Sequence, residues 1–227
     1  MRVRLPLPLL AAVGAALLLA AACAMEENAP VPATATATST GTEQDGADGF
    51  RAFARQADAA LKRGDAAFLA NRMKTVDIIC TAADVNPQGA GGPECKVAGE
   101  RFKGFETATW RSEGAISPVE NTVRQLEAAL TSADPKAGDA YGTGAPRVHS
   151  LNVEPGSYTI IFTAIVTQPW RSDTAGPFRA VFASSWQFGE GRWQMMRLLT
   201  AYVLAGELLT PGSEYTNRLK AREEFQQ

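Results

Sequence analysis

The sequence predicts an α+β domain: an antiparallel sheet of four to six strands packed on about three helices that precede it. Two observations carry this. From Arg147 to Leu204 four strand-like runs follow one another with turn residues between them, whereas apolar residues from Phe50 to Leu130 recur mostly at helical spacing. A third bounds the domain. The chain has 227 residues, and its first 48 offer only a signal-like run and a polar stretch, leaving about 180 for one core.

Arg2 and Arg4 precede a charge-free, Leu/Ala-rich run from Leu5 to Ala22, and Leu19-Ala20-Ala21-Ala22-Cys23 ends it with small residues before a cysteine. The run is long enough to cross a bilayer, but small residues before the cysteine mark a cleavage site. The motif resembles the lipobox of bacterial lipoproteins, with Ala20 where Leu is preferred. That resemblance implies a signal peptide over 1–22 and diacylated Cys23, often with a third chain such as palmitate. It places the protein in the cell envelope, extracytoplasmic, at the outer face of the cytoplasmic membrane or at the outer membrane. Several acyl chains anchor effectively permanently, at about 0.8 kcal/mol per buried methylene.

Residues 23–48 read as a flexible tether of Ala, Thr, Pro, Gly and acidic residues without apolar periodicity. The domain is expected over 49–205, with 206–227 a C-terminal tail of helical character. The chain carries 22 basic and 24 acidic side chains, and loss of Arg2 and Arg4 leaves 20 against 24. With no basic cluster, nucleic acid is not an expected partner.

Phe50, Phe53, Ala54, Ala57 and Leu61 form the stripe of a first helix. Gly64 suits its end and Asp65 the cap of a short second helix through Phe68, Leu69 and Met73. Thr75–Cys80 reads as a strand with Val76 and Ile78 on one face. Between Cys80 and Cys95 lies a Gly/Pro/Asn loop. With Cys23 acylated, two cysteines remain in an exported domain, which predicts a Cys80–Cys95 disulfide. A zinc site lacks ligands and the spacing is not CxxC, so no metal or cofactor is expected.

Phe102–Ile116 reads as an irregular excursion holding at most a short strand. Ser117-Pro118-Val119-Glu120 reads as a capping box that opens a third helix, with Val119, Val123, Leu126 and Leu130 inward and Asp134-Pro135 as its end. The sheet then runs Arg147–Val153, Tyr158–Thr167, Phe178–Phe188 and Arg192 to about Val203. On the last strand Trp193, Met195, Arg197, Leu199 and Val203 are expected on one side. Met196, Leu198, Tyr202 and Leu204 are expected on the other. Both faces are largely apolar, so each needs a cover.

This order of elements resembles the nuclear-transport-factor-2-like superfamily. So do the helix–Gly64-Asp65–helix opening and the closing Gly189-Glu190-Gly191-Arg192-Trp193-Gln194-Met195 hairpin. A group of bacterial proteins of no assigned activity has a similar Cys-loop-Cys insert and Trp110–Gly114 run. The resemblance implies a curved sheet wrapped on helices into a cone with an apolar pocket, and places the Cys80–Cys95 insert near its mouth. Some members are isomerases or dehydratases with an Asp or His base; others bind ligands or dimerise through the sheet.

Asp77 and His149 are therefore the candidate bases, and Asp77, Trp110, Tyr158, Trp193, Arg197 and Tyr202 the candidate pocket residues. The bland reading of each is structural: an edge-strand histidine, a solvated aspartate, tryptophans in the core, an arginine with its stem on a neighbour. There is no Gly-x-Ser-x-Gly elbow, HExxH or P-loop. The leading expectation is a non-catalytic envelope lipoprotein that binds a small apolar molecule or an envelope protein, with a homodimer through the sheet as a further partner. The alternatives are a cofactor-free isomerase or dehydratase using Asp77 or His149, and a purely structural module.

Overall fold

A computed structural model of the chain divides into two units, residues 1–40 and 41–227. It describes residues 43–85, 92–109, 112, 114–167, 177–201, 208–210 and 223–225. The signal and most of the tether lie outside these. Helix α1 spans Gly46–Lys62, capped by Asp45, whose carboxylate accepts the Gly46 N–H at 2.7 Å. It buries Phe50, Phe53, Ala54, Ala57 and Leu61, the stripe that helical spacing predicted. Helix α2, Ala66–Ala70, starts at Asp65, whose carboxylate accepts the Phe68 N–H at 3.0 Å.

The fold begins earlier than composition marked it. Glu43 accepts the backbone N–H of Trp193 at 2.6 Å and pairs with Arg72 at 2.8 Å, so residues 43–48 belong to the domain. The Arg72 guanidinium in turn lies 3.9 Å over the Phe68 ring. That stacking adds to the Glu43 pair in offsetting part of the desolvation cost of a mostly buried cation.

The main sheet contains β1 (Val76–Ile79), β2 (Arg101–Thr109), β3 (Ala115–Pro118), β6 (Arg147–Glu154), β7 (Ser157–Val166), β8 (Phe178–Gly189), β9 (Arg192–Ala201) and β10 (Glu223–Glu224). A hairpin of β4 (Gly138–Asp139) and β5 (Gly142–Thr143) stands apart, and α3 covers Val119–Thr131. Strand order is β1-β2-β9-β8-β7-β6-β10, with β3 also on β2. All pairs are antiparallel except β2–β9. The β8–β9 hairpin turns at Glu190 and Gly191, with φ of 54° and 75°. Two positive φ values are what a two-residue turn needs to match strand twist.

Three expectations change. Phe102–Ile116 is mostly regular strand: β2 runs nine residues and β3 four. Ser117 is not a cap, because it lies in β3 with its hydroxyl 3.0 Å from that of Thr107, and α3 starts at Pro118 without a side-chain cap. The tail is not all helical, since Glu223–Glu224 pair with Leu151 and Ser150 on the β6 edge.

The inner face of the sheet packs on the helices. Ile160, Phe162, Ala164 and Val166 of β7, Phe182 and Trp186 of β8, and Trp193, Met195 and Leu198 of β9 join α1, α2 and α3 in one core. The phase of β9 differs from simple alternation. Trp186 pairs with Met195 but Ser185 with Arg197, so Met196 is an extra residue, a β-bulge that moves every later side chain to the opposite face. Leu198 thus faces inward and Leu199 outward.

The outer face has its own cover. Ile161, Val181, Ala183 and Ala201 pack with Leu208 and Leu209, and with Tyr141 from the β4–β5 hairpin. Arg179, its side chain 2% exposed, locks that hairpin down. Its Nε and Nη2 donate to the two Asp139 oxygens, each at 2.8 Å, Nη1 to Thr163 Oγ1 at 3.0 Å, and Nη2 also to Gly142 O at 2.9 Å. The Arg179 hydrogen bonds hold the Asp139 carboxyl below the usual carboxylate range, against the opposing effect of burial.

Candidate functional site

The interior between α1 and the sheet, where the cone pocket was expected, is filled by aromatic rings. Trp193 is fully buried. Phe50 and Tyr158 each lie with ring centroids 4.9 Å from it, and Phe53 lies 4.7 Å from Trp186. Both indoles are satisfied: Trp193 Nε1 donates to Gln44 O at 3.2 Å and Trp186 Nε1 to Ser184 Oγ at 2.8 Å. Tyr158 and Trp193 therefore pack the core; Tyr158 and Trp186 also border a groove of about 510 Å³ that continues to Asp45 and Met196.

Open space lies instead beneath α3. A cleft of about 640 Å³ runs between that helix and the ends of β2, β3 and β9. This is the size range of small-molecule sites. The strands contribute Thr107, Ala108, Thr109, Ala115, Ser117 and Thr200; the helix contributes Asn121, Thr122, Arg124, Gln125 and Ala128. Small side chains on the floor are what leave the volume empty. Gly114 lines it too, at φ 94°, where an added Cβ would meet Thr107 O at 2.9 Å. A glycine is the residue type that tolerates both the angle and the approach.

Several of the polar groups in the cleft are partnered within the protein, Ser112 Oγ among them, accepting from Thr109 N and donating to Thr109 O, each at 2.9 Å. Thr107 and Ser117 share a hydrogen bond, and Arg124 Nη2 donates to Asn121 Oδ1 at 2.5 Å. Thr122 is 2% exposed, and its hydroxyl has no hydrogen-bond partner among the described residues. Glu94 adds a carboxylate at one side.

Glu94 reaches the cleft through the disulfide loop. Cys80 and Cys95 are bonded, with Cα atoms 5.8 Å apart. The returning limb runs alongside β3: Glu94 N donates to Ile116 O at 2.9 Å, and Ile116 N to Gly92 O at 3.0 Å. Glu94 of the insert thus lines one side of the opening.

The residues singled out from sequence do not converge here. Asp77 lies on β1 with its side chain 82% exposed and 2.8 Å from Lys103 Nζ. His149 sits half-buried on β6, three strands away from β9, at the bulge between Val148 and Ser150. Asp58 of α1 holds that bulge, accepting the Val148 N–H at 2.8 Å. Arg197 stands opposite Glu106 across the β2–β9 pair, 3.1 Å from it, on the face away from Trp193 because of the Met196 bulge. Trp110 and Tyr202 lie outside the described residues.

Sequence reasoning missed the cleft because it looked for an apolar pocket with a titrating base. The available signal was Thr122, Gln125 and Ala128 at every third position of α3, facing the small residues Thr107-Ala108-Thr109 and Gly114-Ala115. Among the described residues no cluster of three or more His, Cys, Asp or Glu is placed to hold a metal, and no helix is long and apolar enough to cross a membrane.

No protein-family model matches the sequence, and no curated protein matches it. Solved structures do. A DUF4783 family protein from Bacteroides ovatus is 11% identical, with 72% of this chain and 98% of that one covered and a TM-score of 0.36. An NTF2-like protein with a cystatin-like fold from Novosphingobium aromaticivorans is 13% identical, covering 74% and 84%, TM-score 0.34. The chain is similar to NTF2-like proteins. A second NTF2-like protein, from Streptomyces avermitilis and provisionally described as a dehydratase, is 14% identical, covering 70% and 95%, TM-score 0.34.

Proposed function

We propose that this chain is a lipid-anchored, extracytoplasmic protein whose domain binds a small molecule in the cleft beneath α3 without transforming it. The observation that carries the binding reading is the cleft of about 640 Å³ beside a core that is otherwise filled. A filled interior alone would equally suit a structural module; the cleft is what favours binding. The non-catalytic part is supported by the placement of Asp77 and His149, one at the surface and one at the far side of the sheet. The anchor is supported by Leu19–Cys23 and by the Cys80–Cys95 disulfide, a bond of oxidising compartments.

Two experiments test this. Cys23→Ala should release the protein from membranes and stop its labelling with palmitate; retention with label would overturn the anchor. In equilibrium dialysis against an envelope extract, the detergent-solubilised full chain should concentrate at least one small molecule unchanged, and Ala128→Trp should not. Enrichment of nothing would overturn the binding reading. Conversion of a compound that stops in Asp77→Asn or His149→Gln would establish an enzyme instead.

A further inference from the structure

We infer that the C-terminal segment of the chain holds this domain monomeric, by occupying the sheet face through which two copies would otherwise pair. That face is apolar across the adjacent strands β7, β8 and β9. Ile161 stands opposite Ala183, Ala183 opposite Leu199, and Val181 opposite Ala201. A contiguous apolar patch of this kind, left in water, is an association surface.

A second copy is the partner it fits. A twofold axis sets the same patch of each copy against the other, and the isoleucine, valine and leucine of one sheet can interdigitate with the alanines of its mate. Charge does not oppose the pairing. Arg179 and Arg197 stand on the same face, next along it from Val181 and Leu199, and each already has a carboxylate: Asp139 at 2.8 Å and Glu106 at 3.1 Å.

In this chain the face is taken. Leu208 and Leu209 are buried on it, and with them Ile161, Val181, Ala183 and Ala201. Tyr141 of the β4–β5 hairpin covers its flank, with its hydroxyl 3.4 Å from Thr210 Oγ1, so the two parts of the cover meet. The C-terminal segment also closes the β6 edge of the sheet. Glu223 and Glu224 pair with Leu151 and Ser150 there, and Phe225 packs on the main core. An open edge is the other route by which sheets join between molecules. The opposite edge, β1, has four residues, and short edge strands resist such pairing. Pairing through the sheet, expected from the sequence, is on this reading held off by the chain itself.

The test is photo-crosslinking in membranes of cells making the full chain, with p-benzoylphenylalanine in place of Gln187, which is exposed on the same face of β8. A crosslink from Glu127, exposed on α3, measures background. Wild type should give no band at twice the monomer mass. Leu208→Gln with Leu209→Gln uncovers the face, and that band should appear. Adding Val181→Lys sets like charges against each other across the twofold, and the band should be lost. Tyr141→Ala lifts the other part of the cover while leaving the Arg179 hydrogen bonds to Asp139 and Gly142 O. It should also give the band, and it decides the matter if the leucine variant proves protease-sensitive and so unfolded. A dimer band in wild type would overturn the inference. So would variants that stay protease-resistant and monomeric, the result expected if Leu208 and Leu209 are no more than a small core. A ladder of larger species in place of a dimer, or a dimer band that survives Val181→Lys, would overturn the assignment of a second copy to this face.

Discussion

Replacing Asp139 by Asn removes the carboxylate partner of Arg179, whose side chain is 2% exposed. Breaking a buried ion pair on one side typically costs about 3–5 kcal/mol, because the remaining charge is left uncompensated. Two features reduce that here. The Asp139 side chain is 37% exposed, so water already screens part of the attraction. Thr163 Oγ1 and Gly142 O still accept from the guanidinium, and the new amide oxygen can accept one bond. A loss of about 2–3 kcal/mol is expected, roughly a 30-fold to 160-fold shift in the folding equilibrium. Pairing Asp139→Asn with Arg179→Met should recover much of it, since the buried charge is gone. The pH dependence has a defined sign. Asp139 has its folded pKa depressed by Arg179, so its contribution is complete above the unfolded value of about 3.9 and disappears as pH falls through the folded pKa. Urea unfolding followed by tryptophan fluorescence should show the full gap between wild type and variant at pH 7 and a closing gap below about pH 4. A gap under about 0.5 kcal/mol at pH 7 would refute the reasoning, being the size expected of an ordinary surface change. So would a gap that persists unchanged to pH 2.

Trp193→Ala empties the centre of the aromatic core, where the indole is fully buried against Phe50 and Tyr158. It should cost about 3–5 kcal/mol, read by the same unfolding assay; a cost below about 1 kcal/mol would mean that the interior is not filled as described. The Cys80→Ser, Cys95→Ser pair opens a loop with a sequence separation of 15 and should cost about 3 kcal/mol in the chain-entropy model. Amide exchange at Glu94 and Ile116, which pair along β3, should quicken more than exchange in β7. Uniform acceleration across the sheet would contradict the assignment of the loop to the cleft wall.

Where one residue decides local structure, sequence reading did well. Asp45 lay inside the presumed tether, but Asp65 as a cap, the Gly-Glu-Gly hairpin and the strands of 147–201 were all visible in residue type and spacing. The remainder depended on distant partners. Strand β2 has no strong alternation because Gly104 sits where an added Cβ would collide with Ile116 of β3 and approach Ile78 of β1. The absence of a side chain is a packing requirement that looks like a turn in one dimension. The Met196 bulge is set by the pairing with β8, so nothing in Gln194-Met195-Met196-Arg197 marks the phase change that sends Arg197 outward. Glu43 looked like tether until Arg72 and the Trp193 N–H gave it a binding place. The cleft was hidden for a related reason: Thr, Ser, Asn and Ala form a site only once α3 is laid across β2 and β9.

The proposed function puts the small molecule in the space beneath α3 and not in the aromatic interior. Crystals soaked in a mixture of small polar and apolar probes test it most directly. The account predicts ordered probe density against Thr122, Asn121 and Thr107, with the Phe50–Tyr158–Trp193 cluster unchanged and unoccupied. Probes that leave the cleft empty, or that enter by parting those rings, would contradict it.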